Sequence, residues 1–288
     1  MNAQPPPLDA ARLTGTTFPV KTFAYDDTRT MLYGLGAGMG RDPLDGSELP
    51  FVTENNLKAL PSMATVIAWD DTWLPEIGID VGRVVHGEQR ITLHKPLAPQ
   101  GRLSSAMRIV DVFDKGEGRG AVLYVRTDLT DLDDGQPLAT LHSTIFARGD
   151  GGFGGPQGSP PPLAPVPDRP ADLEIDHDSL GCQALIYRLL GDRNPLHSDP
   201  EFARSVGFER PILHGLCTYA VAVRAIVKGL CDHEPARVAH VEARFTAPVF
   251  PGETIATELW RTPEGGAFRA RVRERDSVVL DRGRTVLR

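Results

Sequence analysis

Hydrophobic and polar residues alternate along several stretches of the chain, including Arg108-Ile-Val-Asp-Val-Phe, Ala121-Val-Leu-Tyr-Val-Arg, Thr254-Ile-Ala-Thr-Glu-Leu and Phe268-Arg-Ala-Arg-Val. A period of two reads as strands with one buried face. A different period governs the segment from Leu216. Apolar side chains recur there at Tyr219, Ala220, Val223, Val227 and Leu230, the stripe of a buried helix. Arg224 and Lys228 fall on its expected polar side, and Gly229 where a C-terminal cap is expected. The small Ala220, Ala222 and Ala225 would let a sheet wrap closely around it. Each half is expected to hold one long helix and several antiparallel strands, an α+β arrangement.

The clearest boundary is the stretch 149–170, with six glycines and seven prolines in 22 residues. It can sustain neither helix nor ladder and reads as a linker between units 1–148 and 171–288. Gly151-Gly-Phe-Gly-Gly155 within it is followed by Pro156 and Pro160 to Pro162, so it cannot open a helix as a phosphate loop does. The flanking units resemble each other. Tyr187-Arg-Leu-Leu-Gly-Asp-Arg-Asn-Pro-Leu-His197 answers Tyr33-Gly-Leu-Gly-Ala-Gly-Met-Gly-Arg-Asp-Pro-Leu-Asp45. Leu93-His-Lys-Pro-Leu-Ala-Pro-Gln-Gly101 likewise answers Arg244-Phe-Thr-Ala-Pro-Val-Phe-Pro-Gly252. A period of roughly 150 residues suits two fused copies of one domain rather than a solenoid.

Composition narrows the setting. Among 288 residues, 41% are hydrophobic and 24% charged, as in globular proteins. A net charge of −7 disfavours a nucleic-acid partner. Cys182, Cys217 and Cys231 form no C-x-x-C pair, and an odd count argues against a disulfide framework. Met1 to Leu8 carries three prolines and no apolar stretch, so no secretory signal is expected. No apolar run is long enough to span a membrane. The last residues, Thr285 to Arg288, lack the S-K-L address. A bacterial cytosol is the expected setting.

Candidate chemistry converges on 187–215. Pro195 disfavours helix at Asn194, so Gly191 to Leu196 should be a loop. Asp199 should cap a short helix over Glu201 to Val206, with Pro200 at its first position and Gly207 as the stop. Asp192 and His197 then flank a tight loop. A carboxylate beside an imidazole can act as a general acid–base pair. On spacing alone, local capping by Asp192 and simple packing of His197 are the plainer explanation of these residues. His214-Gly215 begins the buried helix, where unpaired amides carry partial positive charge. Gly215 could therefore form an oxyanion hole, or serve only a turn.

The string Tyr187-x-x-x-Gly-Asp-x-Asn-Pro-Leu-His197-x-Asp-Pro200, followed by Pro211-Ile-Leu-His-Gly-Leu216, resembles the signature of MaoC-like (R)-specific enoyl-CoA hydratases. The likeness extends to Arg244–Gly252 and, in the first half, to Tyr33 and His86-Gly-Glu-Gln, so it covers nearly the whole chain. The resemblance implies a double hot-dog fold, two curved antiparallel sheets each wrapped around a central helix. It implies hydration of a trans-2-enoyl-CoA to an (R)-3-hydroxyacyl-CoA. Asp192 and His197 would activate water, Asn194 orient the loop, and the Gly215 amide stabilise the thioester oxygen. Tyr187, Leu196, His214 and Leu216 are the expected substrate-binding neighbours. Coenzyme A arrives as part of the substrate and no further cofactor or metal is implied; a homodimer is. The first half has Asp45 at the position of His197 and Gly40 about where Asp192 stands, so one site per chain is expected. The degenerate half would house the acyl tail.

Three rivals stay in view: a dehydratase acting on an acyl-carrier-protein substrate, a hot-dog thioesterase, and a non-catalytic acyl-CoA-binding protein. The last two fit the Asp-x-Asn-Pro-Leu-His loop less well. No H-E-x-x-H, G-x-S-x-G or Walker motif occurs. Gly36-x-Gly-x-Gly40 does not fit the dinucleotide fingerprint. His86, His94, His142, His177, His233 and His240 are expected to be structural or exposed, and Cys217 to serve packing.

Overall fold

The computed structural model describes residues 8–288; the stretch 1–7, on which the expectation about a secretory signal mainly falls, lies outside them. The first unit contributes strands β1 (Lys21–Tyr25), β2 (Val84–Leu93), β3 (Gly101–Asp114), β4 (Ala121–Asp131) and β5 (Pro137–Ala147). The second contributes β6 (Leu173–Asp178), β7 (Val238–Phe245), β8 (Thr254–Thr262), β9 (Gly265–Val272) and β10 (Ser277–Leu287). Their order in space is β1-β3-β4-β5-β2-β7-β10-β9-β8-β6. Read outward from the centre, each half repeats one connectivity, with β2 matching β7 and β1 matching β6. The duplication visible in the sequence is thus also a duplication of topology. The two curved antiparallel sheets of the double hot-dog fold join edge to edge where β2 pairs with β7, Gln89 opposite Ala243 and Thr92 opposite His240. That seam covers the edges both sheets would otherwise leave unpaired.

Among the described residues seven α-helices accompany the sheet: α1 (Ala10–Leu13), α2 (Asp27–Gly36), α3 (Ala64–Ile67), α4 (Trp73–Glu76), α5 (Gln183–Tyr187), α6 (Pro200–Ser205) and α7 (Gly215–Cys231). The stripe of α7 is buried as expected, and burying each large apolar side chain contributes about 1.5–3 kcal/mol. Three expectations need correction. The helix passes through Gly229 and ends at Asp232, which takes the left-handed conformation at φ 54°. A Cβ at Gly229 would lie 2.8 Å from Leu259, so that glycine lets the sheet close on the helix rather than capping it. Arg224 does not face solvent; it is buried and paired at 2.5 Å with the buried Glu48 of the first unit. Finally, among its described residues the first unit has no long central helix. Its counterpart is one 3-10 turn, Pro61–Met63, running into the four-residue α3.

The linker is held rather than loose. The carboxylate of Asp114, at the end of β3, accepts from the amides of Gly116 (2.8 Å), Gly152 (2.8 Å) and Gly154 (2.7 Å). The glycine-rich run does cradle an anion, and the anion belongs to the protein itself. Among the described residues no helix is long and apolar enough to cross a membrane.

Candidate active site

Between α5 and α6 the chain loops as expected from Gly191, but Pro195–His197 closes a 3-10 turn, and α6 runs Pro200–Ser205 rather than Glu201 to Val206. Gly191 adopts φ 143°, and a Cβ there would come within 2.8 Å of Trp69. The Asn194 amide donates to Asp192 Oδ1 (3.1 Å), while Asn194 Oδ1 accepts from the Leu196 amide (3.0 Å) and its Nδ2 donates to the Val81 carbonyl (3.2 Å). Asn194 therefore ties the loop both to itself and to the first unit. Asp199 caps α6 by accepting from Glu201 (2.8 Å) and Phe202 (3.2 Å).

These constraints bring His197 Nε2 to 3.9 Å from Asp192 Oδ2, both side chains largely buried. His197 Nδ1 lies 2.9 Å from the Ile212 carbonyl, which can only accept, so Nδ1 carries the hydrogen in the neutral ring. Nε2 is left with a lone pair facing the carboxylate. Burial lowers the pKa of His197, and the charge of Asp192 works against that shift. A water between two acceptors at this spacing could donate to both, which is the arrangement for drawing a proton from it.

His214 stacks on His197, ring centroids 3.7 Å apart. Its Nε2 donates to the Asp192 carbonyl at 3.1 Å, and burial holds its pKa well below 6.5. Tyr187 packs behind it at 5.2 Å and also touches Tyr33, its counterpart in the first unit, at 6.0 Å. Together Asp192, His197 and His214 set three potential metal-ligand atoms within 4.8 Å of one another. The fit to an ion is poor. The two imidazoles lie only 25° from parallel, so their in-plane lone pairs run side by side instead of converging at the roughly 2.0–2.1 Å a zinc site needs.

Asp192, Asn194, Leu196, His197, Gly215 and Leu216 all line one cavity of about 430 Å³. Tyr187 and His214, expected to touch substrate, instead support the wall from behind. Gly215 is the first residue of α7, where its amide has no intrahelical acceptor. The rest of the wall is mostly apolar and comes largely from the first unit, with Leu74, Met107, Val125 and Ile145 prominent. One residue set aside in the sequence belongs here: His86 lines the same cavity, and its pKa feels both Asp192 and His197. The His86-Gly-Glu-Gln stretch was the available signal. Cys217 is buried, donates to the Gly36 carbonyl at 3.3 Å, and has its thiol pKa pushed up by burial, as a packing residue would.

A family model described as a MaoC like domain matches residues 163–281, and one described as an MFE-2 hydratase 2 N-terminal domain matches residues 23–149. The 3-hydroxyacyl-thioester dehydratase Y of Mycobacterium tuberculosis is 42% identical over 287 residues, covering 96% of this chain and 97% of that protein. The peroxisomal enoyl-CoA hydratase 2 of Arabidopsis thaliana is 35% identical, with 91% of this chain and 90% of the relative covered. Among solved structures, a MaoC-like dehydratase from Phytophthora capsici matches with a TM-score of 0.81 at 33% identity, covering 96% of both chains.

Proposed function

The chain belongs to the MaoC-like dehydratase family, in the two-unit form that carries an MFE-2 hydratase 2 N-terminal domain, and on that premise we propose that it reversibly hydrates trans-2-enoyl-CoA to (R)-3-hydroxyacyl-CoA. It is a hydro-lyase acting on acyl thioesters. The observation that carries the residue assignment is the 3.9 Å gap between the His197 Nε2 lone pair and the Asp192 carboxylate at the polar end of the cavity.

In this reading a water bridges the two groups. His197 withdraws its proton as the oxygen bonds to C3 of the enoyl group. The C2–C3 π electrons move toward the thioester carbonyl, and negative charge develops on its oxygen. The free amide of Gly215, at the positive end of α7, stabilises that charge. The proton held by His197 passes to the Asp192 carboxylate, 3.9 Å away, and Asp192 delivers it to C2, so that the pair removes one proton from water and returns that same proton; the two groups titrate as a unit. Coenzyme A is part of the substrate and no other cofactor takes part. The apolar wall of the first unit, opened where the central helix shrinks to α3, houses the acyl tail. A second copy of the chain completes a homodimer, which light scattering in solution would check.

A coenzyme A thioester is the preferred carrier; the name 3-hydroxyacyl-thioester dehydratase leaves the carrier open, and an acyl-carrier-protein substrate is the second reading. The test follows loss of enoyl-thioester absorbance with crotonyl-CoA and a medium-chain trans-2-enoyl-CoA, product chirality being read with an (R)-specific dehydrogenase. Fast hydration to the (R) product is expected. Release of free thiol without hydration would replace this reading with a thioesterase.

A further inference from the structure

We propose that His86, supplied by the degenerate unit, is a further catalytic residue: its Nε2 hydrogen-bonds the thioester oxygen opposite the Gly215 amide and shares the charge that develops there. This inference rests on the hydratase reading above.

The first observation is a built-in distortion of β2. His86 pairs with Ile145 and Glu88 with Thr144, so Gly87 is an extra residue in the ladder, a β-bulge. In an unbulged strand positions 86 and 89 point to opposite faces. The bulge turns both into the cavity, which His86 and Gln89 line beside Ile145 and Ser143. Bulges re-aim side chains in this way next to active sites.

The second observation is what surrounds the ring. Two aromatic rings neighbour it, Trp69 at 6.0 Å and Phe245 at 6.1 Å between centroids. Trp69 abuts Gly191, at the start of the catalytic loop, and Phe245 abuts Gly215, so His86 stands across the gap between the loop and the first turn of α7. A thioester whose C3 faces Asp192 and His197 and whose oxygen faces Gly215 must cross that gap.

The third observation is an unmet hydrogen-bonding need. His86 Nδ1 is buried without a partner, and among the described residues Nε2 has none either. A neutral imidazole beside two aromatic rings needs a polar partner, and the cavity it lines offers room for one. Burial lowers the pKa of His86 while Asp192 raises and His197 lowers it. A neutral ring can donate to an oxygen that becomes anionic without placing a second cation beside His197.

The test compares three variants with wild type on a medium-chain trans-2-enoyl-CoA. His86→Leu removes the donor. His86→Gln places an amide nitrogen near the position of Nε2, whereas His86→Asn reaches only the position of Nδ1. His86→Leu should lower kcat by about 10²–10³-fold with KM little changed, the loss typical of one oxyanion donor. Gln should recover most of that loss and Asn little of it. If Leu keeps wild-type kcat, or Asn performs as well as Gln, the proposal is overturned. The Gln–Asn contrast decides the matter even where Leu fails to fold. A wild type that hydrates no enoyl thioester would instead remove the hydratase reading itself.

Discussion

The imidazoles of His197 and His214 stack at 3.7 Å between centroids, each pinned by a backbone carbonyl through the opposite ring nitrogen. Two protonated rings at that separation would repel strongly in a buried site, and burial already pulls both pKa values down. His214 thus holds His197 in its neutral form.

The pH dependence of turnover follows from that sign. A lowered pKa means His197 keeps its lone pair as the pH falls past 6.5, the ordinary value for the side chain. The rate kcat/KM should stay level from neutral pH to below 6.5 and fall only when the pH drops through the depressed value. A pH–rate profile in buffers of constant ionic strength checks this. An acidic limb centred at or above 6.5 would contradict the buried, neutral base.

Asp192→Asn and His197→Gln should each lower kcat by about 10²–10⁴-fold, the usual contribution of a positioned acid or base. The double variant should lose little more than either single one, because the pair moves its proton as a unit. Melting temperatures should remain close to wild type, since Asn can still accept from the Asn194 amide as Asp192 does at 3.1 Å. Additive losses in the double variant would mean that the two residues act in separate steps.

Local signals in the sequence carried far. Asp199, Pro200 and Pro195 encode their own cap and loop, and the three-and-four spacing after Leu216 encodes α7, because these depend on neighbours a few residues away. What stayed hidden depends on distant partners. Gly229 resembles a cap until Leu259 of β8 is seen resting on it. Arg224 looks solvated until Glu48, 176 positions earlier, enters the core beside it. His86 looks incidental because the bulge that aims it exists only when β2 meets β5. The collapse of the first unit's helix was equally invisible, since Pro61 to Ile67 is apolar enough to read as either helix or strand.

Removing one member of the Glu48–Arg224 pair should be costly. Both side chains are buried, Glu48 at 1% exposure, and Glu48 also accepts from the Gly40 amide at 2.9 Å. Glu48→Leu leaves the Arg224 charge without a buried counter-ion, which typically costs about 3–5 kcal/mol. Adding Arg224→Met should recover much of that loss, since an apolar pair carries no desolvation penalty. Chemical denaturation of the two variants measures both quantities. A double variant no more stable than Glu48→Leu would show that the charges are needed for packing rather than merely tolerated.

Asp114, at the end of β3, holds the linker in place. Its carboxylate accepts from three glycine amides, Gly152 foremost, and these bonds hold its pKa below the usual carboxylate range. Asp114→Asn replaces one acceptor oxygen with a donor that cannot serve Gly152 or Gly116 on one side and Gly154 on the other at once. The residues 151–155 should then open, while the sheets on either side, closed by the β2–β7 seam, stay folded. Cleavage within 149–170 by a broad-specificity protease should speed severalfold, with both fragments remaining associated and hydration preserved. In wild type the carboxylate stays ionised as pH falls below about 4, its ordinary value, so linker protection should persist there and be lost only under stronger acid. Unchanged cleavage in Asp114→Asn would mean that the contacts of Arg282 with the Leu163 carbonyl at 2.9 Å and the burial of Leu163 hold the linker without the glycine cradle.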